Sequence, residues 1–559
     1  MEDSKNYTRN PALLSCALLL MSCGGGGGNS SGGGPPPPPP APQSQFADVT
    51  TASGIRFVVG FSDNPGDVSD VPYFAGGVAS GDYDNDDDID LFVVRGDVGP
   101  NQLYRNDGDN VFSEVAAAAG VAFTRSATEN YRHSGPTFAD MDGDGDLDLF
   151  LGGIQGDPCR IFANNGDGTF DDVTVGSGFD LIGAPQNVSA AFGDYDIDGD
   201  LDLLVTHWGT ERSRQNPGDT EHLWRNDSTA TQIRFVSVSV EAGIAPSIMT
   251  LPDPRVSDID VDYSFSPVFA HLNDDLYPDI VIASDGNTSM VFMNNGDGTF
   301  RNETDVDVIQ DRSGMGTAVG DYDNDGDLDW FVTSIFRQGD GAVPNGNRLY
   351  RNDDGQFSDV TETAGVADGG WGWAACFVDL NNDGNLDLYH TNGWPFELDG
   401  DFTSDSSRAF MSNGDGTFTN LANELGLADR TQGRGAVCAD FDRDGDIDIF
   451  LWSNEGSSAG SLFRNDANEN NYLNVKLRGL PPNTAAIGAR IHATVGGSTQ
   501  LRDVMIGSNH ISHNPTEQYF GIGNASQVDT LSVEWPDGTT SDLGIVQANQ
   551  RIVVDHPGL

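Results

Sequence analysis

From residue 46 onward the chain alternates short apolar stretches with short runs of Asp, Asn and Gly. Three signals recur in fixed order. The first is a Phe-x-Asp-Val-Thr type segment, starting at Phe46, Phe112, Phe170, Phe235, Phe300, Phe357 and Phe418. The second is an acidic loop that runs into an apolar strand. The third is an aromatic strand ending in Arg-Asn or a similar pair, as in Leu103-Tyr-Arg-Asn, Leu223-Trp-Arg-Asn, Leu349-Tyr-Arg-Asn and Leu462-Phe-Arg-Asn. Period-two alternation broken by Gly, Asn and Asp turns predicts an all-β chain of short strands.

The acidic loops begin at Asp82, Asp140, Asp194, His271, Asp321, Asp379 and Asp440, at spacings of 58, 54, 77, 50, 58 and 61 residues. A unit of that size holds about four short strands, one blade of a β-propeller. The long third interval carries an insertion, placed around Glu211 to Thr220 and Ala245 to Asp262. The register predicts closure. The last repeat stops at Leu462-Phe-Arg-Asn without its own Phe-x-Asp-Val-Thr strand, and the N-terminus has a spare one at Phe46. Lending that strand gives a closed seven-bladed ring with no exposed edges.

The loop Asp321-Tyr-Asp323-Asn-Asp325-Gly326-Asp327-Leu328-Asp329 sets the chemistry. Carboxylates at positions 1, 3 and 5, a turn glycine at 6 and a backbone carbonyl at 7 match a calcium-binding loop, here closed by a carboxylate at position 9. Leu328 and Trp330 alternate with Asp329, so the apolar pair points into the blade and Asp329 towards the metal. Crowded carboxylates demand a hard cation. Oxygen donors without Cys exclude zinc and copper and favour calcium over magnesium.

The candidate ligands are Asp82, Asp84, Asp86, Asp88 and Asp90; Asp140, Asp142, Asp144, Asp146 and Asp148; Asp194, Asp196, Asp198, Asp200 and Asp202; Asp321, Asp323, Asp325, Asp327 and Asp329; Asp379, Asn381, Asp383, Asn385 and Asp387; and Asp440, Asp442, Asp444, Asp446 and Asp448. About six calcium ions are expected. The first loop has Asp87 in place of the turn glycine, which predicts strain, and the sixth is weakened by the neutral Asn381. The loop His271, Asn273, Asp275, Asp279 lacks the first carboxylate and is expected to be empty or weak.

These motifs resemble the FG-GAP (or VCBS) repeat family, the calcium-bearing propeller blades also seen in integrin α-subunits, and in particular its bacterial branch. The resemblance covers residues 46–467. From 468 to 559 the pattern changes. Asn471-Tyr-Leu-Asn-Val-Lys-Leu, Ala486-Ile-Gly-Ala-Arg490-Ile, Gly496-Gly497, Phe520-Gly-Ile-Gly523 and Val533-Glu-Trp535-Pro536-Asp-Gly538 resemble the ASPIC/UnbV domain, which follows FG-GAP repeats in many bacterial exported proteins. A small β-domain is implied, with Gly488, Gly521 and Gly523 as turn residues. The family's usual Gly-Tyr-x-Ser-Gln stretch reads Asn509-His-Ile-Ser-His here, which puts any role attached to it in question.

Charge adds a second layer. The formal net charge of -58 excludes nucleic acid and anionic membranes as partners. Lysine occurs only at Lys5 and Lys476. Residues 1–23 read as an export signal. Lys5 and Arg9 precede an 11-residue apolar run, Pro11 to Met21, too short to span a bilayer. Leu20-Met21-Ser22-Cys23 resembles a bacterial lipobox, which implies lipidation of Cys23 and a lipoprotein at the outer membrane or cell surface. Residues 24–45, rich in Gly and then Pro, form a tether. Cys159, Cys376 and Cys438 make no disulfide framework. Cys376 and Cys438 occupy similar places in neighbouring repeats, as one bridge or as buried small apolar residues.

No nucleophile elbow, zincin motif, P-loop or dinucleotide fingerprint is present. His133, Arg312, Trp373 and Arg434 precede inner strands, and His207, Trp208, His390 and Asn454 follow acidic ones, positions that line a propeller face. Two functions stay open: a monomeric surface binding or adhesion module for a protein or glycan, and a calcium-dependent polysaccharide lyase or hydrolase.

Overall fold

The computed structural model describes residues 45–61, 71–181, 186–211, 222–250, 261–338, 345–396, 402–454, 460–466, 470–507 and 509–559. The export signal, Cys23 and the tether up to Ser44 lie outside these residues, as does most of the Glu211 to Thr220 insertion.

The fold is all-β and propeller-like. Among the described residues, seven four-stranded antiparallel arrays follow one another along the chain, the third and fourth bridged into one sheet. Their first strands are Gly77–Gly81, His133–Ala139, Asn187–Gly193, Val261–Ala270, Thr317–Gly320, Gly372–Val378 and Gly433–Ala439. Each of these packs against the first strand of the next array, and Gly433–Ala439 returns to Gly77–Gly81, so the circuit closes. The last array takes its fourth strand from the N-terminus: Phe46–Asp48 pairs antiparallel with Gly460–Asn465, Phe46 opposite Asn465. The long third repeat explains the bridge, because the ten-residue strands Asp202–Glu211 and Val261–Ala270 extend far enough to pair at Trp208 and Tyr263.

Alternation along each second strand builds the core between arrays. In Asp329–Val332, Trp330 and Val332 pack with Leu328 against Val268 and Val281 of the fourth array, whereas Phe331 faces Leu388 and Phe410 of the sixth. Each strand thus contributes one face to each neighbour.

The C-terminal residues form two sheets. One holds Gln518–Gly523, Asn471–Arg478 and Gln550–Asp555, the last two parallel. The other holds Ser498–Asp503, Arg490–Val495, Gln527–Glu534 and Thr540–Gln547. Their core is continuous with the ring: Leu473, Ile491, Phe520 and Trp535 share a cluster with Phe150, Phe192 and Leu203.

A segment of this domain enters the centre of the ring and meets the first strand of every array. Backbone N–H groups of Val78 and Phe192 donate to the carbonyls of Ile511 and Ile506 at 3.2 and 3.1 Å. Phe138 N–H donates to His513 Nε2 at 3.2 Å, and Ala436 N–H to Ser512 Oγ at 2.9 Å. Asn509 N–H donates to Thr317 O at 3.1 Å. His510 Nδ1 lies 3.4 Å from Ser266 Oγ, and Cys376 Sγ donates to Asn514 Oδ1 at 3.7 Å. The Asn509-His-Ile-Ser-His stretch, whose role the sequence left in question, therefore fills the channel. Burial pushes His510 to about 3 and His513 to about 4, so both are neutral.

One expectation changes in detail, and one open alternative is resolved. Gly521 lies within a strand rather than a turn; a Cβ there would come within 2.1 Å of Asp379 Oδ2, so the reason for glycine is close approach. Cys159, Cys376 and Cys438 are all buried free thiols.

Candidate metal centre

Each acidic loop leaves the end of a first strand and ends at the first residue of the second. That residue is always the position-9 aspartate: Asp90, Asp148, Asp202, Asp279, Asp329, Asp387 or Asp448. All seven are buried. Burial, against the help of backbone donors, holds their carboxyls well above the ordinary range, Asp329 at about 9 and Asp279 at about 7.

Position 9 does more than close a cation site. Its Oδ2 accepts the N–H of position 2, as in Tyr322 to Asp329 at 3.2 Å. Its Oδ1 accepts the N–H of the residue at or next to the end of the third strand, as in Asn352 to Asp329 at 2.9 Å and Asn226 to Asp202 at 2.8 Å. This accounts for the Arg-Asn signal. The Asn side chain donates onward to the loop of the preceding array: Asn164 to Tyr83 O, Asn294 to Tyr195 O and Asn465 to Leu380 O, at 2.8, 2.8 and 3.0 Å. The sequence showed the Asn as a repeat marker; that it staples neighbouring arrays is visible only in three dimensions.

Position 1 is clamped from within the loop. Asp321 Oδ1 and Oδ2 accept the N–H groups of Asp325 and Gly326 at 3.0 and 3.3 Å, and Asp194 and Asp440 repeat the pattern. Position 6 is left-handed in every loop but the fourth, including Asp87 at φ 74°. In the same six loops position 4 is left-handed too, even at the β-branched Ile197, φ 58°.

Five loops bring three carboxylates together, with oxygens within 4.8 Å of one another: Asp82, Asp84 and Asp86; Asp140, Asp142 and Asp148; Asp194, Asp196 and Asp202; Asp321, Asp323 and Asp325; and Asp440, Asp442 and Asp444. In every one of them the position-3 oxygen, Oδ1 of Asp84, Asp142, Asp196, Asp323 or Asp442, is buried with no hydrogen-bond partner. Burial, with repulsion from neighbouring carboxylates, pushes Asp194 and Asp440 to about 7. Orphaned oxygens in a crowded acidic pocket are what a cation would satisfy, and all-oxygen donors suit a hard divalent ion.

Not every expected side chain joins these groups. Three position-7 carboxylates turn to the adjacent loop: Asp88 pairs with Arg443 at 2.9 Å, and Asp146 and Asp446 accept from Asn85 and Asn382 at 2.6 and 3.1 Å. In the sixth loop the amides of Asn381 and Asn385 donate to Asp383 at 3.1 and 2.8 Å. In the fourth, His271 Nδ1 pairs with Asp503 of the C-terminal domain at 2.9 Å. Burial opposes protonation of His271, and the adjoining Asp503 carboxylate outweighs it, so its pKa is raised.

The polar residues flagged at strand ends do not converge on one open site. Burial pushes His133 and His390 to about 3. Trp208, Trp373 and Arg434 do gather at the channel. Phe74 lies 4.8 Å from Trp208 and 6.1 Å from Trp373, and the Arg434 guanidinium sits 4.4 Å over Trp373.

The repeat geometry has a counterpart among known families. The FG-GAP-like repeat matches residues 82–151, 140–205, 271–332, 336–390 and 400–451, more than half of the chain. The chain belongs to the FG-GAP-like repeat family. A domain described as ASPIC and UnbV matches residues 479–558, after the FG-GAP ring. The FG-GAP chain is 24% identical over 512 residues to cartilage acidic protein 1 of Mus musculus, covering 86% of this chain and 73% of that protein. For cartilage acidic protein 1 of Homo sapiens the values are 23% over 508 residues, 86% and 71%. Among solved structures, YCF48 from Cyanidioschyzon merolae superposes with a TM-score of 0.37 at 10% identity, covering 70% of this chain and 95% of that one. Among the described residues no helix is long and apolar enough to cross a membrane.

Proposed function

We propose that this protein is a calcium-stabilised binding module, exported and held at the cell surface by a lipid on Cys23, that recognises a protein or glycan partner as a monomer. The observation that carries the calcium reading is the buried, unpartnered position-3 oxygen repeated in five loops. Calcium is favoured because the donors are all oxygen and the loops are short and irregular, which suits a large ion with flexible coordination better than the strict octahedron of magnesium. The ions are structural: the carboxylates face one another inside the loops, where they neutralise repulsion rather than present a reactive centre. The absence of a catalytic motif in the sequence favours binding over turnover.

The test strips the full-length protein with a chelator and follows its melting temperature. A marked fall, reversed by calcium more fully than by magnesium, supports the reading; an unchanged melting curve overturns it. Glycan-array and cleavage assays on the calcium-loaded protein test the binding role, which release of a cut polysaccharide would overturn.

A further inference from the structure

The first acidic loop differs from the others in its neighbours. Position 6 is Asp87 instead of glycine, and its carboxylate is held by Lys476 Nζ at 3.1 Å and by Arg551 at 3.0 Å. The same ammonium reaches the position-1 carboxylate, Asp82 Oδ2, at 3.3 Å. Among the described residues no other converging loop has an ion pair to its position-1 carboxylate. Asp440 meets the C-terminal domain through Asn474 Nδ2 at 3.1 Å, and Asp140 through the Thr484 hydroxyl. Lys476 is one of two lysines in the chain.

The lysine does not satisfy the loop. Oδ1 of Asp82 and Oδ1 of Asp84 are both buried and unpartnered, and the Asp82 side chain is only 10% exposed. The Lys476 side chain, in contrast, is 30% exposed and borders a cleft of about 390 Å³ between the loop and the C-terminal domain, lined by Asp82, Asn85, Asp87, Lys476, Glu517 and Arg551. The loop is therefore open to solvent on one side, and the ammonium has room to move.

We propose that the first loop is an exchangeable divalent-cation site in which Lys476 is the resident competitor. A divalent ion entering between Asp82, Asp84 and Asp86 displaces the ammonium from Asp82 into the cleft, where Asp87 and Glu517 receive it. Occupancy then alters the contact between this loop and the strand Asn471–Arg478, while the other converging loops keep their ions. The inference rests on the reading of the acidic loops as cation sites.

The experiment titrates calcium into the chelator-stripped full-length protein against a chromophoric chelator. Wild type should show the site that Asp84→Ala removes to be at least about tenfold weaker than those of the other four converging loops, because a unit charge a few ångströms away opposes the ion. Lys476→Met, which keeps most of the aliphatic stem, should tighten that site by about tenfold and leave the others unchanged. Asp84→Ala should remove the weak site and no tight one. Lys476→Gln serves as the second variant should the methionine protein fail to fold. The proposal is overturned if the neutral variants leave the site that Asp84→Ala removes unchanged, or if Asp84→Ala removes a tight site. A wild type that binds no calcium at all would instead overturn the parent reading.

Discussion

Asn352 and Asp329 are joined by a 2.9 Å bond from the backbone N–H of the first to Oδ1 of the second, which fastens the end of an acidic loop to the third strand of its own array. The Asn352 side chain then crosses to the preceding array and donates to Leu272 O at 2.8 Å. One residue thus fixes both a loop and a boundary. Asn352→Ala would leave the buried carbonyls of Leu272 and Leu328 without these donors. Unmet buried acceptors cost about 1–3 kcal/mol. The expected result is a lower urea midpoint at unchanged slope; an unaltered midpoint would show that the staple is dispensable.

The metal-free loops should make stability depend on pH in an unusual direction. Asp194, Asp321, Asp379 and Asp440 sit at about 7 in the folded chain, chiefly through burial. Their unfolded value is the ordinary carboxylate one, about 4. With folded values above unfolded ones, the folded state holds more protons across that interval. Their contribution is full below about pH 4 and lost as pH rises through about 7. Chelator-stripped protein should therefore melt lower at pH 8 than at pH 5.5, and saturating calcium should flatten the difference. A stripped protein that gains stability across this window would contradict the assignment.

Much of the architecture was legible because each repeat advertises itself. Glycine or aspartate turns, apolar alternation and the Phe46 strand were enough to predict the arrays and their closure, since all three are local patterns. What stayed hidden depends on contacts remote in sequence. The Asn staple needs the loop of the preceding array, with Asn352 and Leu272 80 positions apart. The turn of Asp88, Asp146 and Asp446 away from the carboxylate clusters needs the adjacent loop. The channel-filling stretch at Asn509 to His513 carries no periodicity, and its Asn509, Ser512 and His513 side chains meet the ring at Ala436 and Phe138, residues remote in sequence.

Asp323 offers a local test of the loops. Its Oδ1 is one of the orphaned oxygens and its other oxygen pairs with Arg351 at 3.0 Å. Asp323→Ala should lower the bound calcium by about one ion per chain, read by elemental analysis after dialysis. Far-UV circular dichroism should keep its wild-type shape, because the other arrays keep their own loops and staples. Global unfolding at room temperature would mean that the arrays are not stabilised one by one.

Gly507 tests whether ring and C-terminal domain are one cooperative unit. It lies at φ 88°, and an added Cβ would come within 2.3 Å of Ala191 Cα and 2.4 Å of Ala190 O. Those atoms belong to the backbone of a first strand and cannot step aside. Gly507→Val therefore combines backbone strain with overpacking, for a loss of about 3 kcal/mol or more. The segment around it touches the first strand of every array, so the loss should not stay in the C-terminal domain. Calorimetry of the wild type should show a single transition spanning both parts, and Gly507→Val should shift that whole transition downwards. Two separate transitions, with only the smaller one displaced, would show that the channel segment rests in the ring without holding it together.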